Sequence, residues 1–296
     1  PDSGFSQFVG AERVADKYGV TREELDDFAY NSHIKGAAAY EAGNFKDEIV
    51  PVQVEINGET LVHKVDEGLR PNPNFEKIKS LEPLQEGGLI TAACASQICD
   101  GSAAVLVASE KAVKEFDLKP LAKIKAMSVV GSDPTMVLEG PIPATEKILE
   151  TSGLTISDME IYEVNEAFGS VPLAWMKATG ADLEKLNVNG GAQALGHPLG
   201  ATGAKLIATL TYELRRRNGK YGLLAICEGL GTANATIIIN SISFRIFSYE
   251  FIKFCNFIIC SGPLDEGLIK VFSLYYFAKA DTFLTKAPPV GTSDPN

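Results

Sequence analysis

Four short segments of the chain concentrate glycine, small residues and reactive side chains: residues 91–101 (TAACASQICDG), 165–168 (NEAF), 190–203 (GGAQALGHPLGATG) and 227–231 (CEGLG). His197 sits among Gly196, Pro198 and Gly200, a setting that fixes a tight loop and suits an imidazole acting as base or donor. A single His is more often a satisfied structural residue, and on residue type alone the two readings balance. Cys227 ends an apolar run and is followed by Gly229 and Gly231, whose backbone N–H groups can face an oxyanion. A thiol in such a place works as nucleophile or as acid/base, although free Cys is commonly core filler. Asn165 reads as a polar positioner or a helix N-cap, and Ser96 as a ligand contact or a turn former. Cys94 and Cys99 read as packing thiols.

Other chemistries are disfavoured. The 190–203 segment lacks P-loop spacing, and no G-x-G-x-x-G follows Gly229 and Gly231, so neither nucleotide-phosphate motif is present. Only three histidines (His33, His63, His197) argue against a His-rich metal site. With 27 Lys and Arg against 38 Asp and Glu, the net charge of -11 makes nucleic acid a poor partner. Five cysteines without framework spacing read as reduced thiols of an intracellular compartment such as cytoplasm, mitochondrion or peroxisome. Pro1 is not a translation start, so the sequence reads as continuing upstream.

The elements that must position these residues fall into two textures. Residues 10–18 and a second helix opened by Thr21, with Glu24 completing a capping box, precede a hairpin. Leu25, Phe28, Ala29 and Ser32 form the second helix's inward stripe, and Gly43 ends it. Val52, Val54 and Ile56 alternate up to Asn57-Gly58, a strong hairpin signal, with 61–65 as the return strand. From about Gly88, apolar strands alternate with helices. Strands are expected at 103–108, 121–130, 160–164, 222–226 and 235–239, and helices at 109–116, 144–151, 171–179 and 204–217. Leu206, Ile207, Leu210 and Leu214 share one face of the last helix. Near-continuous apolar strands point to an α/β sheet buried on both faces.

At Ser241 the composition breaks: residues 241–296 hold eight of the chain's 15 Phe. Arg245, Glu250 and Lys253 interrupt the apolar run at 244–260, which falls short of the ~20 residues a membrane span needs. The tail is expected to lie outside the fold.

Taken together and in this order, the four segments resemble the thiolase family, the acetyl-CoA acetyltransferases and 3-ketoacyl-CoA thiolases. The resemblance runs from about Gly10 to Ile239, and the Cys-Glu-Gly start of the last motif is similar to thiolases of fatty-acid and steroid side-chain degradation. It implies a layered αβαβα fold of two similar halves under a loop domain. On that map 1–86 are the loop domain, 87–120 the closing strand and helix of the first half, and 121–240 a nearly complete second half. The implied reaction moves an acyl group between a cysteine and coenzyme A, with no bound cofactor and coenzyme A as substrate. Carried over, Cys227 is the acid/base for the α-proton, and His197 activates the nucleophile and helps form an oxyanion hole. Asn165 holds a water there, Gly229 donates to a second hole, and Ser96 contacts the pantetheine arm. The family's members are homodimers or homotetramers.

Leu230 stands where glycine is usual, and Ala93-Cys94 where Gly-Asn is usual, which bears on the pocket rather than the catalytic groups. The acyl-accepting cysteine of the resemblance belongs upstream of the loop domain, and none of the five cysteines takes its position. The 296 residues alone are therefore expected to be inactive. The alternative is a non-catalytic CoA- or lipid-binding thiolase-like protein, including the sterol-carrier type. A β-ketoacyl synthase, which pairs its nucleophile with two histidines, fits less well because Cys227 occupies the last motif.

Overall fold

The computed structural model describes residues 6–241; the aromatic-rich tail singled out above lies outside the described residues, apart from Ser241. Helix α1 (Gln7–Lys17) begins at Ser6, whose hydroxyl accepts from the Val9 N–H. Helix α2 (Arg22–Glu41) opens on the expected box: the Thr21 side chain accepts from Glu24 N and the Glu24 carboxylate accepts from Thr21 N at 2.7 Å. Strands β1 (Val52–Ile56) and β2 (Glu59–His63) pair antiparallel across Asn57-Gly58. Both turn residues have positive φ, as a type I′ turn requires. Short helices α3 (Phe75–Lys79) and α4 (Glu110–Glu115) follow.

Then come β3 (Ala122–Gly131), α5 (Pro141–Ser152), β4 (Ile161–Val164), α6 (Ser170–Thr179), the one-turn α7 (Ala192–Leu195), α8 (Thr202–Arg217), β5 (Tyr221–Cys227) and β6 (Thr232–Asn240). Their sheet has the order β3-β6-β5-β4, with β4 and β5 parallel and β6 antiparallel to both its neighbours. A parallel pair needs a crossover, and α6, α7 and α8 supply it.

Alternation along the strands divides the core between two faces. Tyr162, Val164, Leu223, Ala225 and Ile237 pack with Ile148 of α5 and Trp175 of α6, and α1 and α2 lie outside α6. The Trp175 indole donates to Thr145 Oγ1 at 2.7 Å, which satisfies a fully buried N–H. On the other face Ile161, Leu224, Ile226 and Ile238 meet Leu206, Leu210 and Leu214 of α8. A Cβ on Gly222 would stand 2.8 Å from both Leu210 and Leu214, so glycine lets α8 settle against β5.

One expected strand is not formed. Residues 103–107 have no strand conformation, and neither sheet among the described residues includes them. Apolar runs become strands only where a neighbour completes the ladder, and this run has an exposed Val107 instead. No helix of the described residues is long and apolar enough to cross a membrane.

Candidate active site

The parallel pair sets the site. Asn165 directly follows β4, and its N–H donates to the Ala225 carbonyl at 3.2 Å, extending the ladder one step. Cys227 ends β5, and the 228–231 turn leads into β6. Thr202 opens α8, which must return to the start of β5 at its other end. Asn165, Cys227, the turn carrying Gly229, and the start of α8 therefore gather at one end of the sheet, where α/β folds place their ligands.

His197 is drawn to that end from its loop. Its N–H donates to the Gln97 carbonyl at 3.0 Å. Its Nδ1 lies 2.7 Å from Thr202 Oγ1, and Nε2 lies 3.4 Å from Asn165 Nδ2. The Thr202 hydroxyl already donates to Pro198 O at 3.0 Å. It has one proton, so it accepts from the ring, which places the imidazole proton on Nδ1 and leaves Nε2 as the acceptor. Burial holds the ring's pKa below the ordinary imidazole value, and the Lys205 ammonium adds to the effect. Asn165 is buried, and its Oδ1 makes no hydrogen bond among the described residues. A leftover buried acceptor, Asn165 Oδ1, beside the proton-free Nε2 is what a bound polar group would complete.

Ser96 occupies a connecting segment. Its N–H donates to Ala167 O at 3.0 Å, Gly169 N donates to Cys94 O at 2.7 Å, and Ile98 bridges to His197. This segment thus stitches the 165–168 and 196–200 loops together. Gly229 lies in an exposed turn held by Thr232, which donates to Gly229 O at 2.9 Å, and by Glu228, whose carboxylate accepts from Asn234 Nδ2 at 2.5 Å. Leu230 in this turn takes a left-handed φ of 61° and is 63% exposed, so a position that favours glycine carries an outward-facing apolar side chain.

Three described thiols have distinct fates. Cys94 is fully buried and accepts from Thr91 N at 3.1 Å. Cys99 is half-buried and lies against Gly196. Burial pushes the Cys227 thiol up to about 12, with the Glu228 carboxylate adding to the rise. All three are held toward the protonated form.

Two supporting residues were not singled out in the sequence. Thr202 fixes the tautomer of His197; its signal was a hydroxyl five residues on, at the helix start. Glu166 is buried and accepts from Ser32 Oγ at 2.8 Å, Asn187 Nδ2 at 2.8 Å and Gln193 N at 3.1 Å. A Cβ on Gly191 would stand 2.1 Å from its carboxylate, which explains one glycine of the 190–203 segment by close approach. A cavity of about 630 Å³ adjoins this end of the molecule, bounded by Val54, Ile56, Gln97, Ile98, Cys99 and Gly196 among others. Among the described residues no group of three or more His, Cys, Asp or Glu side chains is placed to hold a metal ion.

A layered α/β fold with Asn, His and Cys motifs meeting at the strand ends defines a thiolase-type architecture. Residues 6–111 match the family model for the thiolase N-terminal domain and 118–240 that for the C-terminal domain, so the chain belongs to the thiolase family. It is 51% identical over 237 residues to the steroid 3-ketoacyl-CoA thiolase FadA6 of Mycobacterium tuberculosis, a match covering 80% of this chain and 57% of that protein. The crystal structure of the Bacillus anthracis acetyl-CoA acetyltransferase superposes with a TM-score of 0.76 at 37% identity, covering 81% of this chain and 61% of that one. The human mitochondrial 3-ketoacyl-CoA thiolase in complex with CoA gives 0.71 at 40% identity, covering 78% and 58%. The chain thus spans about three-fifths of the length of the relatives it matches.

Proposed function

We propose that this site serves acyl transfer between a cysteine and coenzyme A: thiolysis of a 3-ketoacyl-CoA, or Claisen condensation of acetyl-CoA in reverse, in lipid or steroid side-chain metabolism. The observation that carries the proposal is the pairing of Asn165 with the bare Nε2 of His197 at the strand ends that also present Cys227. In thiolysis His197 Nε2 takes the proton of an acyl-accepting cysteine, and that thiolate adds to the 3-keto carbon. The C2–C3 bond breaks, and its electron pair forms the enolate of acetyl-CoA. Cys227 delivers its proton to C2, a role that suits a thiol held protonated by burial. The incoming CoA thiol returns a proton to Cys227 and attacks the acyl-cysteine, and the released cysteine thiolate recovers its proton from His197. Asn165 and the ring face the oxyanion through a water or directly, Gly229 supplies a backbone donor, and Ser96 contacts the pantetheine arm.

The acyl-accepting thiol is assigned outside the described residues. A nucleophile must be a thiolate, and Cys94, Cys99 and Cys227 are all held toward the protonated form. On this reading residues 1–86 act as the loop domain, 87–120 close the first half and 121–240 form the second.

Two assays on the purified 296-residue chain test the proposal. Acetyl-CoA is expected to raise its melting temperature, as any ligand that binds only the folded state must, and a flat response speaks against a CoA site. Thiolysis is expected to be absent, and turnover that depends on Cys227 would show the missing-thiol assignment to be wrong.

A further inference from the structure

The one-turn helix α7 ends at Leu195, and the chain leaves it through Gly196, whose φ is 84°. Had the helix gone on, the His197 N–H would donate to the carbonyl four residues back, that of Gln193. It donates to Gln97 O at 3.0 Å instead. That exchange strands the Gln193 carbonyl on a residue only 1% exposed, where an unpaired acceptor is costly. The Gln97 side chain makes good the loss, because its Nε2 donates to Gln193 O at 2.6 Å. One residue thus accepts from the donor, and donates to the acceptor, of the same missing helical bond.

The second Nε2 proton goes to Gly68 O at 3.0 Å. The loop carrying Gly68 is pinned to α2 on both sides. Tyr40 Oη donates to Asp66 Oδ2 at 2.8 Å and accepts from Asp66 N at 3.0 Å, while Arg70 N donates to His33 Nδ1 at 3.2 Å. Gly68 O is therefore a fixed anchor for the amide. Two glycines follow from the close approach of the 97–99 segment. A Cβ on Gly68 would run into the Gln97 amide, and one on Gly196 would stand 2.5 Å from Cys99 Sγ. Gly68, Gln97, Cys99 and Gly196 all line the cavity, so this clamp forms part of its wall, one residue from His197.

We propose that Gln97 is a positioning residue for His197: its backbone carbonyl and side-chain amide replace both partners of the next helical hydrogen bond, turning the chain out of α7 so that the imidazole reaches Thr202 and Asn165. The inference rests on reading His197 as the base of the site, and extends it to what aims the ring. Without the amide, the buried Gln193 carbonyl draws the His197 N–H back. Nδ1 and Nε2 then leave their places 2.7 Å from Thr202 Oγ1 and 3.4 Å from Asn165 Nδ2.

The test is ¹⁵N NMR on the 296-residue chain, reading the His197 ring and the Gln97 side-chain amide. In the wild type His197 is expected as a single Nδ1–H tautomer at neutral pH. The Gln97 amide protons, both hydrogen-bonded, are expected to exchange with water about 10-fold slower than those of an exposed amide. Gln97→Met keeps the length of the side chain and donates nothing. Packing alone predicts wild-type ring signals in this variant, whereas positioning predicts a mixture of tautomers with the β5 amide signals unmoved. Gly68→Ala reaches the same amide from the opposite side. The new Cβ meets the flexible end of the Gln97 side chain, which can move away, so the fold is kept while the clamp is displaced. Its ring signals are expected to change as those of Gln97→Met do. A wild-type ring spectrum in folded Gln97→Met overturns the proposal. Should that variant not fold, the other two proteins decide: a wild-type ring spectrum in Gly68→Ala, or a wild-type Gln97 amide that exchanges as fast as an exposed one, each overturns it. None of these readouts needs catalysis, so a failure of the acyl-transfer reading in the CoA assays is scored separately.

Discussion

The two buried stripes of α8 differ in what they ask of their surroundings. Leu206, Leu210 and Leu214 need only shape and exclusion of water, and Gly222 across from them supplies the room. Thr202, Thr209 and Glu213 have specific partners, and each partner lies on a different segment: His197, Glu48 and Asn189. The apolar stripe joins helix to sheet, and the polar one ties the sheet to the loops that carry chemistry. Hydrophobic burial is non-directional, whereas a buried charge fixes its neighbours' identities and protonation states. One helix thus builds the core with one side and holds the His197 ring with the other.

Substitutions on the two sides should separate cleanly. Leu210→Ala should have the largest effect, a loss of about 2–5 kcal/mol, because Leu210 is fully buried and its removal leaves a cavity. Urea unfolding measures it, and the loss should be the same at pH 5 and pH 8. Glu48→Gln should instead be pH-dependent. Burial raises the Glu48 carboxyl from 4.5 to about 7. The folded state therefore holds this proton more tightly, and the stability so gained is full below pH 4.5 and lost as pH rises through about 7. Over that window the wild type should lose roughly 3–4 kcal/mol relative to Glu48→Gln, at ~1.4 kcal/mol per unit of difference. Parallel stability curves for the two proteins would contradict this.

Gly222→Ala should cost about 1–3 kcal/mol by overpacking Leu210 and Leu214, with no effect on the His197 tautomer. Thr202→Val should cost about 1–2 kcal/mol for the two hydrogen bonds its hydroxyl makes. Yet it should disturb the ring most, since Nδ1–H loses its acceptor. A ¹⁵N spectrum in which that variant keeps a pure Nδ1–H tautomer would break the contrast between the stripes.

Much of this was legible in the sequence where local chemistry decides structure. The Thr21–Glu24 box, the Asn57-Gly58 turn and the apolar runs of β5 and β6 each carry their own instructions. His197 and Asn165, distant in sequence, were singled out separately and meet in space. The polar stripe was hidden because helical periodicity is read from apolar residues, and Lys205 and Glu213 look like a solvated face until their burial is known. Glu163 was similarly masked inside an apolar strand. Residues 103–108 failed in the opposite sense. Their composition matches β5, but pairing is a property of neighbours and cannot be read from the run itself.

On the proposed acyl-transfer reading, Cys227 exchanges a proton with the α-carbon of a CoA thioester while the Asn165 amide, directly or through a water, faces the enolate oxygen. This exchange needs the Cys227 thiolate but no acyl-accepting cysteine, so with the thiol pushed up to about 12 it is expected to speed up as pH is raised. The most direct test is to incubate the purified chain with acetyl-CoA in D₂O and follow loss of the acetyl methyl protons by NMR. Exchange is expected to run above the buffer rate, to fall by roughly 10²–10⁴-fold in Cys227→Ala, and to weaken in Asn165→Ala. Exchange no faster than in buffer, or undiminished without the Cys227 thiol, would contradict it.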